Sequence, residues 1–106
     1  MDTTAFYVAG QASTGDDEVT VTHPYDGQVV GRTSWARPDQ VEAAGAAAAG
    51  VADEAAALPA HVRAGALDHV SRRLAERRQE IAELITAENG KPVRWALTEA
   101  DRKSVV

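Results

Sequence analysis

The residues best suited to hold a metal ion are histidines, of which the chain has three. His61 and His69 fall near one face of a predicted helix, eight positions apart. A zinc site needs cysteine, histidine or carboxylate ligands at characteristic closer spacings, and the chain has no cysteine. We interpret both histidines as surface residues and assign no metal ligand.

Two other charged segments could bind ions. The run Asp16-Asp17-Glu18 is acidic, but it lacks the glycine and the closing glutamate of a calcium loop, which favours a solvated loop. Lys91 follows a glycine and precedes a predicted helix, where free backbone amides could hold an anion. Because no glycine-rich phosphate loop surrounds Lys91, we favour a charged residue in a connection between helices.

Composition limits the partners. The net charge is -5, and the arginines Arg72, Arg73, Arg77 and Arg78 alternate with acidic residues, so we interpret them as a solvated face and exclude a nucleic-acid partner. The first residues lack the features of a signal peptide, and no apolar run is long enough to span a bilayer. Without cysteine there are no disulfides, and we expect a cytoplasmic protein with no membrane partner.

The longest element that must position these residues runs from Pro59 to Pro92. Its apolar residues recur at helical spacing, which predicts one stripe that meets a partner surface: Leu67, Val70, Leu74, Ile81, Leu84 and Ile85. Arg77 and Arg78 interrupt the stripe and predict a bend or a division into two helices. Gly90 is suited to a left-handed helix end, and Pro92 cannot extend the helix.

Short β-prone runs precede the helices, at Ala5–Ala9, Val19–Thr22 and Gln28–Thr33. We expect a turn at Gly10-Gln11 and a loop over Ser13–Asp17. The last two runs flank Pro24-Tyr25-Asp26-Gly27, in which proline sets one turn angle and glycine supplies positive φ. This pattern predicts a β-hairpin that would be marginal without further packing.

Two more helices are predicted, one on each side of the long element. Pro38 marks the start of the first, although Arg37 is a poor N-cap. Ten residues from Ala43 to Ala57 are alanine, while two glycines weaken this helix. The last helix begins near Val93 and reaches Val106 without a cap, which favours truncation. Trp35 and Trp95 are interpreted first as packing anchors.

Three motifs follow one another along the chain: His23-Pro24-Tyr25-Asp26-Gly27, Glu88-Asn89-Gly90-Lys91-Pro92, and Ala96 with Glu99 to Arg102. The second closes a helix whose other matching positions are Arg63, Leu67, Leu74, Ala82 and Leu84. In this order they resemble the N-terminal part of the aldehyde dehydrogenase superfamily, over Phe6 to Arg102. The chain departs from the family pattern at His23, where asparagine is usual, and at Ala100, where valine is usual.

The resemblance implies a nicotinamide-dependent oxidation of an aldehyde to a carboxylic acid. In the family a cysteine thiolate attacks the carbonyl, a glutamate activates water and NAD or NADP accepts the hydride. The family places these groups well beyond its Gly-Lys-Pro motif. We therefore assign no catalytic, cofactor-binding or metal residue here, and expect NAD or NADP in the complete family enzyme but not in this chain alone.

The sequence thus predicts an α+β fragment, with N-terminal strands and a β-hairpin followed by three or four helices, as part of the α/β aldehyde dehydrogenase fold. Residues 1–36 would form the strands and residues 37–106 a truncated helical segment of the cofactor-binding domain. The expected partners are the remainder of the fold or homo-oligomer contacts, and the chain alone would be inactive. The alternative is a non-catalytic helical module, or a truncated remnant, with the stripe docking in a groove.

Overall fold

Four short strands precede five helical segments in the computed structural model, which describes residues 1–103. The strands are β1 (Phe6–Val8), β2 (Gln11–Ser13), β3 (Glu18–Thr22) and β4 (Val29–Ser34). The helices are α1 (Pro38–Gly50), α2 (Ala52–Ala57), α3 (Ala60–Glu76), α4 (Arg78–Asn89) and α5 (Val93–Lys103). This arrangement confirms the predicted α+β class. None of the helices within residues 1–103 is long and apolar enough to cross a bilayer.

The chain divides into two compact units. The first comprises Met1–Thr22 and Gln28–Ala57, and the second comprises His23–Gly27 and the residues from Leu58 onward.

The strands of the first unit form two antiparallel pairs, β1 with β2 and β3 with β4. The β3–β4 pair confirms the predicted hairpin, and its Gly27 has the expected positive φ of 72°. Strand β2 was not expected, since three residues carry too weak a periodic signal. The turn before β2 lies at Ala9-Gly10 instead of Gly10-Gln11, with φ values of 50° and 78° that suit a two-residue hairpin loop.

Helix α1 begins at Pro38, as predicted. The Gln40 side chain accepts a hydrogen bond of 2.9 Å from the Arg37 backbone N–H, which compensates for the poor N-cap. Arg37 also donates to Asp39 at 3.0 Å, and this hydrogen bond lowers the pKa of Asp39. The alanine-rich segment breaks after Gly50, where Val51 has φ of -108° and ψ of 2°, so it forms α1 and α2 instead of one helix.

The helices of the second unit contain the largest predicted element. It divides at Arg77, as the interrupted stripe predicted, into α3 and α4. Helix α4 ends at Gly90, whose φ of 77° confirms the left-handed end. Helix α5 packs on both α4 and α3. Ala82, Ala96 and Ala100 are buried there, so the core of this unit lies between α4 and α5.

Candidate functional site

The connection between α4 and α5, Gly90-Lys91-Pro92, requires glycine at its first position. The Gly90 N–H donates a 2.8 Å hydrogen bond to the Thr86 carbonyl and so closes α4. A Cβ atom at Gly90 would combine a positive φ with a separation of only 3.2 Å from Cγ of Pro24. Another residue would therefore be strained in its backbone and would press on the proline ring.

Both hydrogen-bond donors of Lys91, its backbone N–H and its ammonium, have partners on the adjoining helices. Its backbone N–H donates a 2.9 Å hydrogen bond to Oδ1 of Asn89. Its ammonium forms an ion pair with the carboxylate of Glu99 on α5. Because the amide is not free, these contacts support the interpretation of Lys91 as a residue of a helix connection over that of an anion site.

The Ala-x-x-Glu pattern of α5 places alanines on the buried face of the helix and acidic residues where they form ion pairs. Ala96 and Ala100, one turn apart, are 0% and 1% exposed. Glu99 meets Lys91, and Asp101 forms an ion pair with Arg78 of α4. The small residues allow α4 and α5 to approach closely, and the charged residues hold α5 in register with the connection.

Each unit has an open cavity. That of the second unit, about 690 Å³, is lined by Lys91, Trp95, Thr98, Glu99 and Arg102. That of the first unit, about 480 Å³, is lined by Tyr7, Ala9, Gly10, Ala44, Ala47, Ala48 and Val51. The side chains that line the first unit's cavity are apolar except for the Tyr7 hydroxyl, while the second cavity combines two cationic residues with one carboxylate. With no cysteine in the chain, neither cavity presents a thiol nucleophile.

The residues considered for metal binding lie apart. His61 and His69 are exposed on α3, and Nη2 of Arg72 lies 3.4 Å from Nδ1 of His69. In the acidic run, Asp16 pairs with Arg37 at 3.4 Å, and Glu18 accepts a 2.7 Å hydrogen bond from Thr3. Within residues 1–103 no group of three or more potential ligands could hold a metal ion.

Three residues of the arginine cluster form ion pairs with acidic residues of this chain. Arg73 pairs with Glu76 at 2.6 Å, and Arg78 pairs with Asp101. Arg77 donates two hydrogen bonds to Glu80, of 2.9 and 2.6 Å, which lower the pKa of the glutamate. These pairs fit the predicted solvated face.

The two tryptophans do not anchor the packing as expected. Trp35 is 71% exposed and Trp95 is 56% exposed, with the Arg94 guanidinium 5.0 Å from the Trp95 ring centroid. The exposure of the two tryptophans could not be predicted from the sequence. A large aromatic residue favours burial, but its residue type does not identify the surface that would cover it.

His23 occupies the position at which the resembled motif has asparagine. Its Nδ1 accepts a 3.1 Å hydrogen bond from the Tyr25 N–H, and its carbonyl accepts one of 2.9 Å from the Gly27 N–H. An asparagine side chain accepts the same bond two residues on in an Asx turn. The imidazole therefore substitutes for the amide oxygen.

We expect His23→Asn to preserve this turn and His23→Ala to weaken it, because alanine has no acceptor for the Tyr25 N–H. The loss should be about 1 kcal/mol, the net value of one hydrogen bond. Amide hydrogen exchange at Tyr25 and Gly27 in the full chain measures it. Equal exchange rates in the two variants would contradict this role for the imidazole.

Comparison with known proteins gave a family match over almost the whole chain. The model of the aldehyde dehydrogenase family matches residues 11–105. A NAD-dependent benzaldehyde dehydrogenase from Corynebacterium glutamicum is 31% identical in sequence, with a TM-score of 0.85 over 94% of this chain. Aldehyde dehydrogenase 21 from Physcomitrella patens, solved in complex with the reaction product succinate, is 31% identical, with a TM-score of 0.88 over 94%.

The chain spans only about a fifth of the length of these solved proteins, 22% of the first and 21% of the second. A comparison with curated protein sequences gave no significant match.

Proposed function

The chain belongs to the aldehyde dehydrogenase family, and from this premise we propose that it supplies the N-terminal strands and first helices of an NAD(P)-dependent aldehyde dehydrogenase. In this proposal residues 1–36 form the N-terminal strands, and residues 37–106 belong to the cofactor-binding domain. The complete enzyme would oxidise an aldehyde to a carboxylic acid in the cytoplasm. The observation that carries the proposal is the match over 94% of this chain to only 22% of a NAD-dependent relative.

The residues present do not by themselves fit a nicotinamide dinucleotide. In the cavity of the second unit, Glu99 accompanies Lys91 and Arg102, and the lysine is already paired with that carboxylate. The first unit's cavity offers Tyr7 as its one polar side chain. A pyrophosphate needs several unneutralised donors, which supports a chain that neither binds the cofactor nor oxidises aldehydes alone.

The roles of the motifs support a structural contribution. Gly90 closes α4. Lys91 forms an ion pair with Glu99. Ala96 is buried and permits close packing of the helices. Each of these functions positions α5 relative to α4, and none requires a substrate. We propose that the motifs build part of a scaffold to which other residues of the enzyme add the reactive groups.

A second candidate function is a non-catalytic helical module. The observation that favours it is the exposure of Leu67 and Val70, which belong to the predicted docking stripe. A functional interaction module should fold alone and form a defined complex. A truncated remnant of a longer enzyme should instead be partly unfolded and expose apolar surface.

The proposed function is tested with a hybrid protein. In this hybrid, the full chain takes the place of the matching segment of the C. glutamicum benzaldehyde dehydrogenase. The remainder of that enzyme follows it. We expect the hybrid to reduce NAD with benzaldehyde and the 106-residue chain alone to show no activity. A folded, inactive hybrid would contradict the proposal.

A further inference from the structure

Helix α3 carries an apolar surface that the described structure leaves open. We call the α3 face the surface formed by Val62, Ala66, Leu67 and Val70. Leu67 is 56% exposed and Val70 is 48% exposed. Their spacing over two turns places these side chains on adjacent rows of one helix side.

The predicted stripe divides into two parts with different surroundings. Leu74, Ile81 and Ile85 are half-buried, in keeping with the contacts of α3 and α4 with α5. Leu67 and Val70 on α3 remain exposed, as does Leu84 on α4. The end of α3 nearer α4 is therefore packed within this unit, and the α3 face requires another surface.

Arg63 indicates the charge of the missing surface. It lies one helical turn before Leu67 and two turns before Val70, on the same side of α3. Its side chain forms no hydrogen bond or ion pair within residues 1–103, whereas Arg73 on the same helix pairs with Glu76. An arginine placed within an apolar contact needs a carboxylate opposite it.

A second copy of this chain does not satisfy that need. A two-fold pairing joins the same surface patch of both copies, so it would bring two Arg63 guanidinium groups into one apolar interface. Neither copy contributes an acidic residue to this face. The like charges would then oppose association.

Building on the proposed function, we propose that the α3 face docks on the remainder of an aldehyde dehydrogenase fold, at an apolar surface with a carboxylate opposite Arg63. The two solved relatives include the local fold of this chain and contain more than four times its length. In this proposal, the part of the fold beyond the segment that matches this chain supplies the surface that covers the α3 face. The docking buries Leu67 and Val70 and pairs Arg63.

The test compares Leu67→Asp and Val70→Asp in two contexts, the full chain alone and the hybrid protein defined above. In the chain alone, aspartate reduces exposed apolar surface, so we expect at least twofold lower binding of a hydrophobic dye and higher solubility. In the hybrid, the same aspartate is buried in the docked surface, so we expect the melting temperature to fall by several degrees. The same substitutions should therefore improve the solubility of the chain alone and lower the stability of the hybrid.

His61→Asp is the matched control, because it places the same residue on the opposite, polar side of α3. It should leave both proteins unchanged. Arg63→Glu should lower the melting temperature of the hybrid and leave dye binding by the chain alone unchanged, while Arg63→Lys should restore part of the hybrid's stability.

A hybrid that tolerates Leu67→Asp and Val70→Asp as well as His61→Asp would overturn the docking proposal. Equal destabilisation of the chain alone and the hybrid would overturn it too, since the residues would then act only within this chain. An active hybrid with either result leaves the proposed function intact. An unmodified hybrid that is folded but inactive refutes the proposed function and leaves docking to be judged by the melting temperatures.

Discussion

Replacing Gly15 by alanine is expected to detach the loop before β3 from the end of β4. A Cβ atom at this position would lie 1.6 Å from the backbone oxygen of Trp35 and 2.8 Å from its carbonyl carbon. Backbone atoms cannot avoid it by a change of rotamer, so the loop must move. The movement would also break the 2.7 Å hydrogen bond from the Gly15 N–H to Oγ of Ser34, a buried side chain.

The combined loss should be about 3 kcal/mol, from overpacking and an unsatisfied buried hydroxyl. Amide hydrogen exchange over β3 and β4 in the full chain measures this loss as faster exchange. Gly45→Ala is the matched control, because nothing lies within 4 Å of a Cβ atom there. Alanine should stabilise α1 by about 1 kcal/mol. Exchange that changes in the same direction in both variants would refute this account of Gly15.

Ala96→Leu should separate α5 from α4. Ala96 is fully buried, and Ala82 on α4 is fully buried as well. Three additional carbon atoms find no space at a helix contact built on alanine, and the cost should be about 2 to 3 kcal/mol. The separation would also strain the Lys91–Glu99 and Arg78–Asp101 pairs, which connect α5 to its surroundings.

The control for this prediction is Ala75→Leu, at an exposed position of α3. Both substitutions add the same atoms to a helix, but only one adds them to a buried position. In the hybrid protein, Ala96→Leu should lower the melting temperature by several degrees, and Ala75→Leu should change it little. Similar melting temperatures for the two variants would show that α4 and α5 are not closely packed at Ala96.

Local signals in the sequence were sufficient for several parts of the fold. Gly90 and Pro92 marked the end of α4, and the turn ending in Gly27 marked the β3–β4 hairpin. The division at Arg77 followed from two arginines at positions where an amphipathic helix needs apolar residues. These features depend on a few neighbouring residues, so sequence pattern reports them directly.

Features that depend on distant residues were not predictable in the same way. Gly15 is needed because of Trp35, which lies far along the sequence, and no spacing rule links the two. The turn at Ala9-Gly10 uses a positive φ at alanine, which sequence statistics disfavour. The exposure of Trp35 and Trp95 depends on which surfaces are present, not on residue type.

The motifs identified the family before they revealed their roles. The order of the hairpin, Gly-Lys-Pro and Ala-x-x-Glu motifs was sufficient for the resemblance, and the family match over residues 11–105 confirmed it. The sequence did not show that Lys91 and Glu99 pair, or that Ala96 lies at a helix contact. Each role depends on the packing of α5, which cannot be read from one helix alone.

The measurement that tests the central claim most directly is NADH production by the hybrid protein with benzaldehyde, compared with the chain alone and with the relative's remainder alone. We predict activity in the hybrid and none in either part, because the proposed function assigns the scaffold to this chain and the reactive groups to the remainder. Activity of the chain alone would contradict the claim. A hybrid that folds but produces no NADH would contradict it equally.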